Sequence, residues 1–253
     1  MSAIEARGLT MRFGGLSAVD GMSLTLGRGE LLGLIGPNGA GKTTLFNLLA
    51  GSLRPTAGTI RIADRELSRD GPERRIAHGL GRTFQIPRPF AEMTVLENVL
   101  TGGQGQAGER AWMNFLQPGK VAAQEKTAIA KARALLDFVT LSALEGEPAR
   151  ILSGGQRKLL ELARVLMADP EILLLDEPAA GVNPRLLEFI IGRVIELNAS
   201  GKSILLIEHN MDMVARLCGR VVVMAGGKHL TQGTPAEVAR DPAVIEAYLG
   251  DML

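Results

Sequence analysis

Three short groups of residues have the types and spacing to act on phosphate. The first is Gly36-Pro37-Asn38-Gly39-Ala40-Gly41-Lys42-Thr43-Thr44, which follows the apolar run Leu31, Leu32, Leu34, Ile35 and precedes Leu45, Phe46, Leu48, Leu49. A strand, a glycine loop and a helix in that order form a concavity of backbone N–H groups facing phosphate oxygens. Gly36, Gly39 and Gly41 admit backbone angles closed to larger residues, and the helix N-terminus behind them favours an anion. Lys42 is expected to reach the terminal phosphates, and the Thr43 hydroxyl to offer Mg²⁺ an oxygen, the donor that ion prefers. The spacing is that of the P-loop, so the chain is expected to bind a nucleoside triphosphate through these nine residues.

The second group is Asp176-Glu177, behind the apolar stretch 171–175. Carboxylates at the C-terminal end of a buried strand lie where an open α/β sheet places its functional groups. Asp176 is expected to hold Mg²⁺, directly or through water, and Glu177 to polarise the attacking water as general base. The pair could instead cap the next helix. The third group is His209, after the strand 203–207. A lone histidine is usually structural, but at a strand tip beside a phosphate site it can hydrogen-bond a γ-phosphate, and that role is the expectation here.

The elements that must position these groups can be read from periodicity. Residues 4–13 and 19–26 alternate as strands, broken at Gly14-Gly15 and Gly27-Arg28-Gly29, which predicts an antiparallel start. Phe13 reads by spacing as a core aromatic, although at that edge its face could stack on a nucleobase. After the loop helix ends at Gly51, residues 58–62 read as a strand and 73–78 as a helical turn. A strand ending in Gln85 then gives way to the breaker-rich 86–90. Residues 94–149 turn helical: Thr94 caps 95–100, and Ile129, Ala132, Leu136 and Val139 recur at helix spacing. Gly102 to Gly108 reads as a flexible loop, with Trp112 and Phe115 packing beyond it.

Ser153 caps a helix with the apolar stripe Leu159, Leu162, Ala163, Leu166, Met167. Ser153, Gly154, Gly155 and Gln156 read either as an ordinary N-cap or as a second anion-binding end. The helix 184–199 buries Leu187, Ile190, Ile191, Val194 and Ile195, and the chain closes with a hairpin, 220–225 and 229–232, and short helices led by Pro235 and Pro242.

Bulk properties narrow the partners. Lys+Arg 28 against Asp+Glu 27 leaves a net charge of +1, which offers no general attraction to nucleic acid or anionic lipid. The single cysteine, Cys218, excludes an internal disulfide and a multi-cysteine metal site, and fits a reducing compartment. No secretory leader pattern or run of about 20 apolar residues is present, so a cytosolic chain is expected.

With Phe13, 36–44, Gln85, 152–156, 172–177 and His209 in this order, the chain resembles the ATP-binding subunit of an ABC transporter over its full length. The resemblance implies an α/β fold: a P-loop NTPase (RecA-like) core with an N-terminal antiparallel β subdomain and an inserted helical subdomain. The division is a single domain over 1–253, with core 1–88 and 151–234, helical lobe 89–150, and C-terminal helices 235–253. It assigns Phe13 to adenine, Gln85 to Mg²⁺ and water sensing, Glu177 to general base and His209 to the γ-phosphate, with ATP and Mg²⁺ as cofactors. It also implies that Ser153 to Gln156, the signature, close over ATP held by a partner ATPase in a head-to-tail dimer.

Asn183 stands where many relatives have aspartate. The segments 82–85, 91–99, 177–184, 207–211 and 233–250 look like the branched-chain amino acid (Liv-type) uptake branch, whereas Ser153-Gly154-Gly155 departs from the Ser-Tyr-Gly form associated with many members. The implied partners are membrane permeases, a second ATPase and, indirectly, a solute-binding protein. No nucleic acid is implied, and the implied location is the cytoplasmic face of the membrane. An ABC ATPase of a lipid or lipopolysaccharide exporter, a non-transport ABC ATPase and a P-loop kinase are the alternatives.

Overall fold

The computed structural model describes residues 2–83, 88–105 and 117–249. It divides into two compact units. One comprises Met1–Arg82, Pro170–Ala180 and Leu187–Leu253, the other Thr83–Asp169 and Gly181–Leu186. The helix after Ser153, expected to follow the lobe 89–150, lies in the second unit. Its apolar stripe has helical surfaces to bury against there, which its own periodicity could not specify.

The first unit holds two sheets. Strands β1 (Ser2–Phe13), β2 (Leu16–Gly27), β4 (Ala57–Ile62) and β5 (Arg65–Glu66) form an antiparallel sheet in the order β2-β1-β4-β5. The second sheet runs β10-β9-β3-β8-β7-β6. Here β3 is Leu31–Ile35, β6 Leu80–Arg82, β7 Ile172–Asp176, β8 Ser203–Ile207, β9 Arg220–Ala225 and β10 Lys228–Gly233. Its strands are parallel except for the antiparallel β9–β10 hairpin. Every residue of β3, β7 and β8 is buried, which explains continuous apolar runs rather than alternation. Helix α1 (Lys42–Ala50) contributes Leu45, Phe46, Leu48 and Leu49 to one core shared with both sheets.

Arg75 finishes α1. It lies in α2 (Pro72–Ala77), is fully buried, and donates through its guanidinium to the carbonyls of Leu48, Leu49 and Leu67. Those of Leu48 and Leu49 belong to the last turn of α1, where a cation also complements the helix dipole. Burial lowers its pKa to about 10, with Asp70 opposing, so it stays charged at neutral pH. Arg75→Met removes a charged donor from these buried carbonyls, of which Leu48 O keeps Gly51 N–H and Leu67 O keeps Asp70 N–H, and is expected to cost about 1–3 kcal/mol, read by urea denaturation.

Helix α6 (Pro184–Ala199) starts in the second unit and ends in the first. Its buried face is Ile190, Ile191, Val194 and Leu197, whereas Ile195, expected inside, is 50% exposed. Ile195 falls roughly a quarter-turn from the centre of that face, and Leu197 closes it instead. Cys218 follows α7 (Met211–Leu217) and is buried, with its thiol pushed up to about 12 by burial and by the charge of Glu208. It stays protonated and inert. Helices α8 (Pro235–Val238) and α9 (Pro242–Leu249) end the first unit.

In the second unit α3 (Val95–Leu100), α4 (Pro118–Phe138) and α5 (Gly154–Met167) pack on one another. Thr94 caps α3 as expected, in a capping box with Glu97. Asn98 is completely buried and holds the segment before α3: its amide donates to the carbonyls of Phe90, Met93 and Thr94, and its Oδ1 accepts from Phe90 N–H. Gly102, expected in a flexible loop, is packed, since a Cβ there would lie 2.0 Å from the Arg164 carbonyl oxygen. Residues 106–108 of that loop, Trp112 and Phe115 lie outside the described residues. No helix among the described residues is long and apolar enough to cross a membrane.

Candidate nucleotide site

The order β3-β8-β7 brings the loop after β3, Asp176-Glu177 at the end of β7 and His209 after β8 to the same edge of one sheet. Gly36 makes the first turn with φ 151°, and a Cβ there would sit 2.1 Å from the backbone oxygen of Met224 in β9. Only glycine fits. Lys42 is buried, its ammonium donating to the carbonyls of Gly36 at 2.7 Å and Pro37 at 2.8 Å, so its charge lies over the loop. Gly41 is the N-cap of α1 and supplies no side-chain acceptor, so the first-turn N–H groups face outward with the positive end of the helix. Thr43 is exposed at that turn.

Asp176 is 3% exposed and paired with Arg82, whose Nη2 lies 3.2 Å from Oδ2. Burial pushes its carboxyl up from the usual range, while Arg82 and the nearby Lys42 pull it down and Glu177 adds to the rise. Arg82 also donates to the Asn47 side chain in α1 at 2.6 Å and stacks over the Phe46 ring. It thus joins the carboxylate at the end of β7 to the loop helix. Sequence reading gave Arg82 no role, because one arginine at a strand end carries no sign of partners this distant in the chain.

Glu177 has φ 48°, a left-handed conformation that costs a non-glycine residue about 1–3 kcal/mol and persists where surrounding contacts enforce it. Contacts on its backbone and side chain hold it. Its N–H donates to Ile207 O at 3.0 Å, and its Oε1 lies 3.0 Å from His209 Nε2. An ionised carboxylate can only accept, so Nε2 carries the proton in this contact. The expected carboxylate and histidine therefore meet directly. Glu208, which sequence reading passed over, lies buried between their two turns.

Phe13 ends β1 and is 48% exposed, which overturns the core reading and leaves its face accessible. Tyr248 in α9 is half-buried beside the loop; burial raises its pKa and a hydrogen bond from the backbone of Gly36 opposes the rise. The last helix, α9, read from sequence as carrying no site, thus touches the glycine loop. Gln85 lies outside the described residues. In the second unit Ser153 caps α5: its Oγ accepts from Gln156 N–H at 3.3 Å and its N–H donates to Gln156 Oε1 at 2.9 Å. Ser153 and Gly154 are exposed, as is Asn183, whose Oδ1 accepts from Leu186 N–H at 2.9 Å. Asparagine caps that turn as aspartate would.

Residues 19–180 match the family model described as ABC transporter. The chain belongs to the ABC transporter family. Residues 228–252 of this ABC ATPase also match the model described as branched-chain amino acid ATP-binding cassette transporter. It is 42% identical over 251 residues to the high-affinity branched-chain amino acid transport ATP-binding protein LivG of Salmonella typhimurium, covering 98% of each chain. It is 37% identical over 250 residues to the probable LivG protein of Archaeoglobus fulgidus, covering 99% of this chain and 96% of that one.

Among solved structures, a nucleotide-free ATP-binding cassette from an ABC transporter superposes with TM-score 0.85 at 35% identity, covering 98% of both chains. The ADP conformation of an ATP-binding cassette of an ABC transporter gives 0.83 at 35% identity, covering 99% of both. The fold is thus the α/β P-loop ATPase cassette with its antiparallel sheet, and the protein is a nucleotide-binding, ATP-hydrolysing transporter subunit.

Proposed function

We propose that this ABC ATPase powers uptake of branched-chain amino acids. The observation that carries the reading is identity near 40% over almost the whole chain to proteins named for that transport. The C-terminal match at 228–252 supports the same branch. The relatives reported above carry no exporter or non-transport name. The working unit is a single ATPase domain over 1–253, with 235–253 as its C-terminal helices, seated on the cytoplasmic face of the membrane against two permeases. A second ATPase completes a head-to-tail pair, and a solute-binding protein delivers cargo.

Residues 36–44 bind the phosphates, with Lys42 on the terminal ones, and Phe13 stacks on adenine. Mg²⁺ fits the oxygen donors present, an exposed threonine hydroxyl and a buried carboxylate. Thr43, Asp176 and Gln85 would hold it, where it would neutralise charge on the phosphates. Glu177 takes the proton of the attacking water, and His209 hydrogen-bonds the γ-phosphate. Ser153, Gly154, Gly155 and Gln156 present an exposed helix N-terminus to the nucleotide of the partner ATPase.

Affinity purification of the tagged chain from detergent-solubilised host membranes, followed by mass spectrometry, tests this reading. Two permeases and a second ATPase are expected to co-purify. Recovery with ribosomal or DNA-repair proteins, or with no membrane protein, sinks the transport assignment.

A further inference from the structure

Glu208 follows β8 directly and is 3% exposed, a depth at which a carboxylate needs compensation. Its contacts are backbone donors from two turns. Oε1 accepts from Ala179 N–H at 2.7 Å, and Oε2 accepts from His209 N–H at 3.1 Å and Asn210 N–H at 3.4 Å. Ala179 belongs to the turn that begins at Glu177, closed by Ala180 N–H donating to Glu177 O at 3.1 Å. Pro178 offers no N–H, so Ala179 carries the next backbone donor after that of Glu177 itself. Glu177 N–H is already anchored to Ile207 O. Capture of Ala179 by Glu208 therefore fixes both sides of the left-handed residue against the end of β8.

On its other side the same carboxylate grips the turn that carries His209. Asn210, its third donor, caps α7 by accepting from Met213 N–H at 2.9 Å. The two gripped turns present the two members of the 3.0 Å Glu177–His209 contact.

We propose that Glu208 is a positioning residue for hydrolysis: one buried carboxylate staples the turn after Glu177 to the turn bearing His209 and so sets the geometry of that pair. The inference rests on the roles proposed above for Glu177 and His209. Among the described residues no hydrogen bond joins Glu208 to the phosphate loop, so its effect belongs in turnover and not in nucleotide affinity.

Steady-state ATPase activity and ATP affinity of the full chain test this with Glu208→Gln, Glu208→Asp and Glu177→Gln. A glutamine has one acceptor oxygen, so whichever turn meets its NH₂ places donor against donor. An aspartate keeps reach to the adjacent His209 and Asn210 N–H groups but withdraws from Ala179. Both Glu208 variants are expected to lose about 10- to 100-fold in kcat, the scale of a misplacement near 1 Å, with ATP affinity within about two-fold of wild type. If Glu208→Gln does not fold, Glu208→Asp carries the same test.

A kcat within about two-fold of wild type in the folded variants overturns the proposal, as does ATP affinity falling in step with kcat. An inactive Glu177→Gln beside normal Glu208 variants overturns this inference alone. Wild-type turnover in Glu177→Gln removes the catalytic pair, and this inference with it.

Discussion

Glu177→Gln is expected to reduce ATP turnover by about 10² to 10⁴-fold, the worth of a general base, while ATP binding stays within about two-fold of wild type. The separation follows from where the residue sits. Its carboxylate faces His209 at 3.0 Å, whereas the phosphate cradle is built from the loop after β3 and from Lys42. Glutamine keeps an oxygen that can accept from His209 Nε2–H, so the pair survives, but an amide cannot take the proton of a water. Turnover by coupled assay and affinity by calorimetry read the two halves independently. Near-normal turnover would remove Glu177 from the base role, and matched loss of both would make it a structural residue.

The second large effect is expected at Gly36. A methyl group there would lie 2.1 Å from the backbone oxygen of Met224, an atom of β9 held in the sheet by both neighbours, so it has little freedom to retreat. The φ of 151° adds strain for any L side chain. Gly36→Ala is therefore expected to push the loop away from β9, abolish measurable ATP binding, and cost about 3 kcal/mol of stability in urea denaturation. The same displacement disturbs the contact of Tyr248 with the Gly36 backbone. Wild-type affinity in this variant would show that the loop tolerates a side chain and that its close approach to β9 is not needed.

What could be read from sequence follows the range of the interactions involved. The glycine loop, β7 with its two carboxylates, and α6 are local patterns, and periodicity or spacing carried them. Thr94 and Ser153 cap their helices as expected, because a cap and its partner lie three residues apart. Ile195, expected inside, is exposed because helical spacing gives the direction of an apolar face but not its width.

Arg75, Arg82 and Glu208 escaped because a lone charge reads as a solvated one, and their partners lie up to 94 residues away in the chain. Arg75 interrupts no apolar run and leaves no signal, whereas Glu208 extends a buried strand by one charged residue, which is where a structural carboxylate belongs. The stripe of the helix after Ser153 likewise states that it packs, not against what.

The pairing of β3 has a consequence for how the chain is made. This strand bears the glycine loop near the start of the sequence, yet its two neighbours are β8 and β9, residues 203–207 and 220–225. During synthesis it leaves the ribosome long before either, so the sheet around the nucleotide loop closes only when the last third of the chain has emerged. The helices of the second unit, drawn mostly from one continuous segment, need no such wait. A nascent or truncated chain that stops before Ser203 exposes both edges of a fully apolar strand, the condition under which strands pair with those of other chains.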